Sequence, residues 1–152
     1  MAIKVGDIIP AFKLKNQNGS EVYSASLIGD KNLVIYFYPK DDTPGCTKES
    51  CSFRDAYEDF LELDAEVIGV SSDDEKSHKK FTEKHKLPFD LLADSKKTVR
   101  KAFGVPGNLF GLIPGRVTYI IDKQGIVRSI FNSQTDPVGH IAEAKKVLKS
   151  LK

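Results

Sequence analysis

The feature that most constrains the fold of this chain is a strand-to-helix transition at residues 36–51, YFYPKDDTPGCTKESC. It overlaps a continuous apolar run at residues 33–38, which is typical of a strand buried on both faces of a sheet. Pro39 ends this run and a short polar loop follows. Pro44 then suits the first position of a helix, where its missing N–H costs nothing. The segment therefore predicts a buried strand that leads directly into a helix.

The only two cysteines, Cys46 and Cys51, lie in the first two turns of this predicted helix. Thr43 is a good N-cap residue, because its hydroxyl can accept hydrogen bonds from first-turn amides and the residue before a proline favours extended backbone. The free amides and the helix dipole at this end favour an anion such as a thiolate. We therefore predict that Cys46 is a reactive thiol rather than an inert core cysteine, which is the commonest alternative.

The two sulfur atoms are predicted to point to opposite sides of the helix. At about 100° per residue, Cys46 falls near the middle of the apolar face and Cys51 lies nearly opposite. Their Cα atoms would be roughly 8–9 Å apart, whereas a disulfide needs less than about 7 Å. A bond between them requires the first turns to unwind, which suits a disulfide that forms and breaks in each cycle. The apolar face consists of Phe53, Ala56, Tyr57, Phe60 and Leu61, in a helix predicted over residues 43–63.

Length and charge exclude several classes of function. The 152 residues are enough for one core, and we predict a single domain over residues 1–152. A net charge of +2 gives no reason to expect binding to nucleic acid or to an anionic membrane. No apolar run approaches the ~20 residues of a membrane span, and no signal-peptide pattern is present. We therefore predict a cytoplasmic protein, or a chloroplast protein if a transit peptide has been removed.

The order of the remaining patterns predicts an α/β fold. A hairpin at residues 11–23 leads into alternating strands and helices, and a second hairpin at residues 117–131 precedes a helix that starts at residues 136–137. Such alternation implies a central sheet flanked by helices, and the hairpins make the sheet mixed. This is the layout of a thioredoxin-like fold with an N-terminal β-hairpin. Cys46 would then lie at the carboxyl end of a central strand, where the ligand sites of α/β proteins are found.

One family has the same arrangement of residues. Residues 39–51, PKDDTPGCTKESC, resemble the peroxiredoxin active-site motif P-x-x-x-T-x-x-C, and a second cysteine five residues further on is similar to the peroxiredoxin Q, or bacterioferritin comigratory protein, subfamily. The resemblance covers nearly the whole chain, including VGD at residues 5–7 and GRVTY at residues 115–119, which contains the family arginine. Residues 104–111 and 132–141 are most similar to plant and cyanobacterial members.

The resemblance implies a thiol-dependent peroxidase that reduces hydrogen peroxide and organic hydroperoxides in antioxidant defence and cell redox homeostasis. It assigns Cys46 as the peroxidatic cysteine, which is oxidised to a sulfenic acid, and Cys51 as the resolving cysteine, which condenses with it to form a disulfide. Thioredoxin or a similar dithiol protein would reduce this disulfide. No cofactor or metal is implied, and the subfamily suggests a monomer.

The resemblance also assigns Thr43, Arg116 and Pro39 to the surroundings of the sulfur atom, and the position of Glu49 in the sequence adds a fourth residue. Thr43 and Arg116 would orient the peroxide and meet the negative charge that develops on the leaving oxygen. Arg116 would also favour the thiolate, because its charge is permanent. Pro39 would shield the pocket. Glu49, one turn after the cysteine, would orient Arg116 through a charge-assisted hydrogen bond.

The residues by themselves leave two other functions open. A thioredoxin-type disulfide oxidoreductase would use the same fold but normally carries C-x-x-C, whereas four residues separate this pair. A redox sensor or holdase would use the disulfide to switch conformation without turnover. A structural zinc site needs about four ligands, whereas Cys46 and Cys51 supply two and have no histidine nearby in the sequence, so we do not predict such a site. We predict that the scattered His78, His85 and His140 lie at the surface or in an interface. The apolar residues Leu109, Phe110, Leu112 and Ile113 are predicted to be core or to form a patch for a reductant or peroxide.

Overall fold

The structure, a computed structural model, describes residues 2–108, 113–133 and 136–151 of the chain. None of the helices in these ranges is both long enough and apolar enough to cross a membrane. The strands are β1 (Lys13–Asn16), β2 (Glu21–Tyr23), β3 (Asn32–Phe37), β4 (Ala65–Ser71), β5 (Asp90–Ala93), β6 (Gly107–Asn108), β7 (Ile113–Pro114), β8 (Val117–Ile121) and β9 (Val127–Asn132). The helices are α1 (Ser24–Leu27), α2 (Pro44–Asp55), α3 (Tyr57–Glu62), α4 (Glu75–His85), α5 (Thr98–Phe103) and α6 (Gly139–Ser150).

The main sheet has seven strands in the order β2-β1-β5-β4-β3-β8-β9, and β6 and β7 form a separate pair. β3, β4 and β5 run parallel, whereas β8 pairs antiparallel with both β3 and β9. The N-terminal hairpin of β1 and β2 extends the sheet through an antiparallel pairing with β5. These findings confirm the predicted thioredoxin-like α/β fold with a mixed sheet and an N-terminal β-hairpin.

The central strand β3 supplies both faces of the sheet with apolar side chains. All six of its residues are buried, as the continuous apolar run predicted. Val34 and Tyr36 belong to the core on one face, whereas Leu33, Ile35 and Phe37 belong to the core on the other. The helix that carries both cysteines therefore packs directly on the central strand, and the first core also contains Cys46, Phe53, Phe60 and Leu148.

The prediction of one helix over residues 43–63 is wrong, because the chain forms two helices that meet at Ala56. Ala56 has φ −98° and ψ 4°, outside the α region, and α3 begins at the next residue. Hydrogen bonds still cross the junction: the Ala56 amide donates to the Ser52 carbonyl at 3.2 Å, and the Phe60 amide donates to the Ala56 carbonyl at 3.1 Å. Leu61, predicted on the buried face, is 37% exposed. No proline or glycine lies at the junction, and the hydrophobic repeat continues through it. The sequence therefore gives no sign that the helix is divided here.

Candidate active site

The helix α2 begins at the predicted residue, but Thr43 makes a different hydrogen bond from the one expected. Thr43 is the N-cap with extended backbone (φ −94°, ψ 155°), and Pro44 takes the first helical position. The Thr43 hydroxyl accepts no bond from the helix and instead donates to the Lys40 carbonyl at 2.9 Å. The expectation that this hydroxyl caps the first-turn amides is therefore wrong. Because its proton is engaged by the loop, its oxygen keeps lone pairs for another donor.

Both cysteines are free thiols within α2. Cys46 is only 1% exposed and belongs to the core that α2 shares with β3, whereas Cys51 is partly exposed. This difference agrees with the predicted opposite directions of the two side chains. Because one uninterrupted helix contains both residues, helix geometry places their Cα atoms roughly 8–9 Å apart, too far for a disulfide.

Arg116 reaches Cys46 from the segment that precedes β8. Its Nη2 donates to the Cys46 Sγ at 3.4 Å, and its Nη1 donates to Glu49 Oε1 at 2.7 Å. The arginine is only 4% exposed, so its charge acts on the sulfur with little screening by water. Gly45 allows this approach, because a Cβ at that position would lie 2.9 Å from Arg116 Nη2. The Nε of Arg116 is buried and has no hydrogen-bond partner among the described residues, which leaves one N–H for an oxygen atom in the site.

Glu49 holds the other side of the Arg116 guanidinium and is fully buried. Burial raises the pKa of Glu49 to about 8, although the adjacent Arg116 opposes this rise. Burial also acts to lower the pKa of Arg116, but the charges of Glu49 and Cys46 outweigh it and raise that pKa. The pair fixes the guanidinium between a carboxyl and a sulfur, and the charge on the carboxyl depends on pH.

His140 lies beside this buried pair, and nothing in its sequence context indicated that it would be buried. We predicted a surface or interface position, but His140 is fully buried. Its Nδ1 lies 2.7 Å from Thr118 Oγ1 and 3.5 Å from Glu49 Oε2, and its Nε2 lies 2.8 Å from the Ser133 carbonyl oxygen. Since a carbonyl can only accept, Nε2 carries the proton and the Thr118 hydroxyl donates to Nδ1. Burial lowers the pKa of His140, which favours this neutral form.

His78 is also buried, contrary to the prediction, and it anchors the loop before α2. Its Nε2 lies 2.9 Å from the Leu92 carbonyl oxygen, and its Nδ1 lies 2.7 Å from Asp41 Oδ2. Because a carbonyl can only accept, His78 Nε2 donates to the Leu92 carbonyl oxygen. Asp41 and His78 also lie with Asp73 in a cluster of potential ligand atoms within 4.8 Å, but the Asp73 carboxylate already accepts from the Asp41 amide.

The structure brings three of the six predicted site residues, Cys46, Glu49 and Arg116, into direct contact. Thr43 lies at the N-cap of the same helix, and half-buried Pro39 follows the end of β3. Cys51 does not belong to this group of contacts, because it lies further along α2 and its side chain is partly exposed. The predicted apolar loop falls outside the described residues at Leu109, Phe110 and Leu112, and the Ile113 side chain is not described either.

The geometry places a buried sulfur within hydrogen-bond distance of a guanidinium, an arrangement suited to a sulfur nucleophile. A permanently charged guanidinium next to the sulfur stabilises that anion. The same guanidinium can meet negative charge on an oxygen that departs from a peroxide. Together with the second cysteine in the same helix and the thioredoxin-like fold, this geometry is typical of a thiol-based oxidoreductase.

Comparison with known proteins identifies the family within this class. The model of the AhpC/TSA family matches residues 5–130, and the chain belongs to this family. It is 52% identical over 149 residues to the chloroplastic peroxiredoxin Q of Suaeda salsa, across 98% of this chain and 69% of that protein. It is 53% identical over 148 residues to the chloroplastic peroxiredoxin Q of Arabidopsis thaliana, across 97% of this chain and 68% of that protein.

Solved structures agree with this assignment. Peroxidoxin BcpB from Mycobacterium tuberculosis superposes with a TM-score of 0.91 at 36% identity and covers 99% of both chains. A PrxQ mutant from Xylella fastidiosa superposes with a TM-score of 0.90 at 29% identity, over 99% of this chain and 98% of that one. The predicted resemblance to peroxiredoxin Q is confirmed, and the chain is a thiol-dependent peroxidase.

Proposed function

We propose that Cys46 is the peroxidatic cysteine and Cys51 the resolving cysteine of a peroxidase that reduces hydrogen peroxide and organic hydroperoxides and is regenerated by thioredoxin. The observation that carries this proposal is the position of Arg116, whose two Nη atoms donate to Cys46 Sγ and to Glu49 Oε1. A buried arginine on a thiol at the start of a helix favours the thiolate. A cysteine with only a structural role would not need a buried arginine beside its sulfur atom.

In the first step the Cys46 thiolate attacks one oxygen of the peroxide, ROOH. An S–O bond forms, the O–O bond breaks, and Cys46 becomes a sulfenic acid while RO⁻ departs and takes up a proton to give ROH. Negative charge thus moves from the sulfur to the leaving oxygen. Arg116 is close enough to the sulfur to stabilise both positions, and its unpartnered Nε–H is a further donor for the peroxide.

Three neighbours prepare the site for this step. The Thr43 hydroxyl already donates to the Lys40 carbonyl, so its oxygen is suited to accept the peroxide O–H. Glu49 holds the Arg116 guanidinium in one orientation. Pro39, half-buried where the chain leaves β3, shields the pocket from water.

The second step joins the two cysteines. The Cys51 thiol attacks the sulfenic sulfur of Cys46, a disulfide forms, and water is released. Because an intact α2 keeps the two residues too far apart, this step requires the helix to unwind between them. A dithiol reductant such as thioredoxin then reduces the disulfide and is itself oxidised, and the helix reforms.

The proposed functional unit is a monomer made of the single domain over residues 1–152. Charge offers no support for a role on nucleic acid or on an anionic membrane, since the net charge is only +2. The relatives from Suaeda salsa and Arabidopsis thaliana, which are 52% and 53% identical to this chain, are chloroplastic proteins. A chloroplast location is therefore proposed beside the cytoplasmic one.

Steady-state peroxide consumption with thioredoxin and thioredoxin reductase tests this function. The wild-type protein should turn over many times, whereas Cys51→Ser should react with one equivalent of peroxide and then stop. Sulfenic acid trapping with dimedone should label Cys46 in that variant. Stoichiometric oxidation of the wild-type protein without turnover would refute the proposal and favour a redox sensor. Comparison of hydrogen peroxide with a bulky organic hydroperoxide would establish the substrate preference.

A further inference from the structure

Arg100 is a second buried arginine near the site, and the proposed mechanism does not use it. It lies in α5 and is only 8% exposed. Its Nη2 donates to the Tyr38 carbonyl at 3.1 Å, and its Nη1 donates to the Gly115 carbonyl at 3.3 Å. These carbonyls belong to the residues directly before Pro39 and Arg116, so one guanidinium joins the two segments that flank Cys46.

The surroundings of Arg100 are unusual for a buried cation. No carboxylate of the described part of the chain forms an ion pair with it. Asp94, the nearest candidate along the chain, instead accepts the backbone amides of Val99 and Arg100. The centroid of the Phe37 ring lies 5.7 Å from Arg100 Cζ. Burial lowers the pKa of Arg100 although the charge of nearby Asp94 opposes this, so the buried cation carries a cost that Asp94 does not fully offset.

The sheet explains why the two flanking segments need a separate link. β3 and β8 are antiparallel neighbours, and their last pair at this edge is Phe37 with Val117. Beyond that pair, the segment that follows β3 and the segment that precedes β8 are no longer paired as strands. The backbone hydrogen bonds between β3 and β8 therefore do not fix the separation of these two segments. The Tyr38 amide bonds to Val70 on the β4 side rather than toward β8. The Arg100 guanidinium supplies the missing connection between Tyr38 and Gly115.

We propose that Arg100 is a positioning residue for the peroxide reaction, which acts by holding the Pro39 segment and the Arg116 segment at a fixed separation on either side of Cys46. A planar guanidinium suits this task because it presents two donors at a fixed spacing, which a lysine ammonium cannot do. Both carbonyls lie outside α2, so the link should persist while the helix unwinds and reforms. The proposal rests on the roles proposed above for Pro39 and Arg116.

The test compares Arg100→Lys and Arg100→Gln with Lys101→Gln, which removes an exposed charge from the next position of the same helix. Stopped-flow measurements on the reduced proteins give the rate constant for hydrogen peroxide, and iodoacetamide alkylation at the same pH reports on the Cys46 thiolate. Circular dichroism gives the unfolding temperature. The wild-type protein in the same assay tests the proposed function independently of the variants.

We expect Arg100→Lys to react with peroxide about tenfold more slowly, because small displacements of aligned groups lower the rate of a positioned reaction. Its alkylation rate should stay within about twofold of wild type, because a small displacement leaves the charge of Arg116 near the thiolate, whereas the peroxide reaction depends on the alignment of the guanidinium. Arg100→Gln should lose at least as much peroxide rate, and Lys101→Gln should behave as wild type.

Three results would overturn the proposal. One is a folded Arg100→Lys with a peroxide rate within twofold of wild type. Another is a parallel fall of the peroxide and alkylation rates, which would indicate general distortion of the site. The third is failure of both Arg100 variants to fold at 20 °C, which would assign the residue a role in stability alone. If the wild-type protein consumed no peroxide, the function proposed for Cys46 would fail instead.

Discussion

Oxidation of the two cysteines to a disulfide should unwind the first turns of α2, which the reduced structure shows as one uninterrupted helix from Pro44 to Asp55. An i, i+5 pair in an α-helix has Cα atoms roughly 8–9 Å apart, beyond the ~7 Å limit of a disulfide. The unwinding should stop before Phe53, whose ring stacks on Tyr36 with centroids 4.6 Å apart. Arg54 adds a second anchor through its Nη1 bond to the His85 carbonyl at 2.7 Å.

The expected change in stability can be worked out from the groups that move. About four helical hydrogen bonds are lost, each worth roughly 0.5–1.5 kcal/mol, for a total of roughly 2–6 kcal/mol. Separation of buried Glu49 from Arg116 adds to this cost, because a buried charge left without its partner is destabilising. The crosslink closes a loop of only about six residues, which offsets about 2 kcal/mol through the entropy of the unfolded chain. The oxidised protein should therefore be the less stable form, and its disulfide easy to reduce.

Amide hydrogen exchange of both redox states provides the assay. Protection at residues 47–51 should fall on oxidation and return with a dithiol, whereas the amides of Ala56 and Phe60 should keep their protection. Thermal unfolding should show a lower transition temperature for the oxidised protein. Equal protection of residues 47–51 in both states, with the Cys46–Cys51 bond confirmed by mass spectrometry, would refute the reasoning.

Three substitutions should separate the roles of the site residues. Cys46→Ser should keep the fold but retain less than about a tenth of the peroxidase turnover, because serine is a poor nucleophile at neutral pH. Arg116→Lys should slow the reaction of the reduced enzyme with peroxide roughly a hundredfold in stopped-flow measurements, because the lysine keeps the charge but loses the planar fork. The difference in stability between Glu49→Gln and wild type should shift in favour of the variant as the pH rises from 4.5 to 8. The raised pKa of the buried carboxyl makes the native state retain a proton that the unfolded state releases, so wild-type stability falls across this window. Thermal unfolding at pH 5 and pH 8 measures that difference.

Each of these predictions has an outcome that contradicts it. Full turnover in Cys46→Ser would remove this residue as the nucleophile, and Cys51→Ser serves as the matched control because it should still react once. Unchanged peroxide kinetics in Arg116→Lys would mean that the contact with Cys46 Sγ does not assist the reaction. The same shift in unfolding temperature at both pH values for Glu49→Gln would show that this carboxyl does not titrate in the native protein within that range.

The sequence by itself determined the features that depend on residues close together in the chain. The apolar run before Pro39 and the start of α2 at Pro44 follow from side-chain preferences that act within a few residues, and both are found where they were predicted. The burial of Cys46 and the partial exposure of Cys51 follow from helical periodicity in the same way. Local preferences failed to predict two features. The Thr43 hydroxyl donates to the Lys40 carbonyl in the loop instead of capping the helix, and the helix ends at Ala56 although no proline or glycine lies there.

Only the tertiary structure decided which distant residues meet the sulfur. Arg116 contacts Cys46 across 70 positions of sequence because β8 pairs with β3 and ends at the same edge of the sheet. His140 reaches Glu49 because α6 packs beside α2, and Arg100 reaches Tyr38 across 62 positions. Spacing along the chain carries no record of such contacts, since they depend on strand order and on the burial of side chains that look ordinary in the sequence. The resemblance to a family supplied Arg116 in advance, but the buried positions of His140 and Arg100 emerged only from the folded chain.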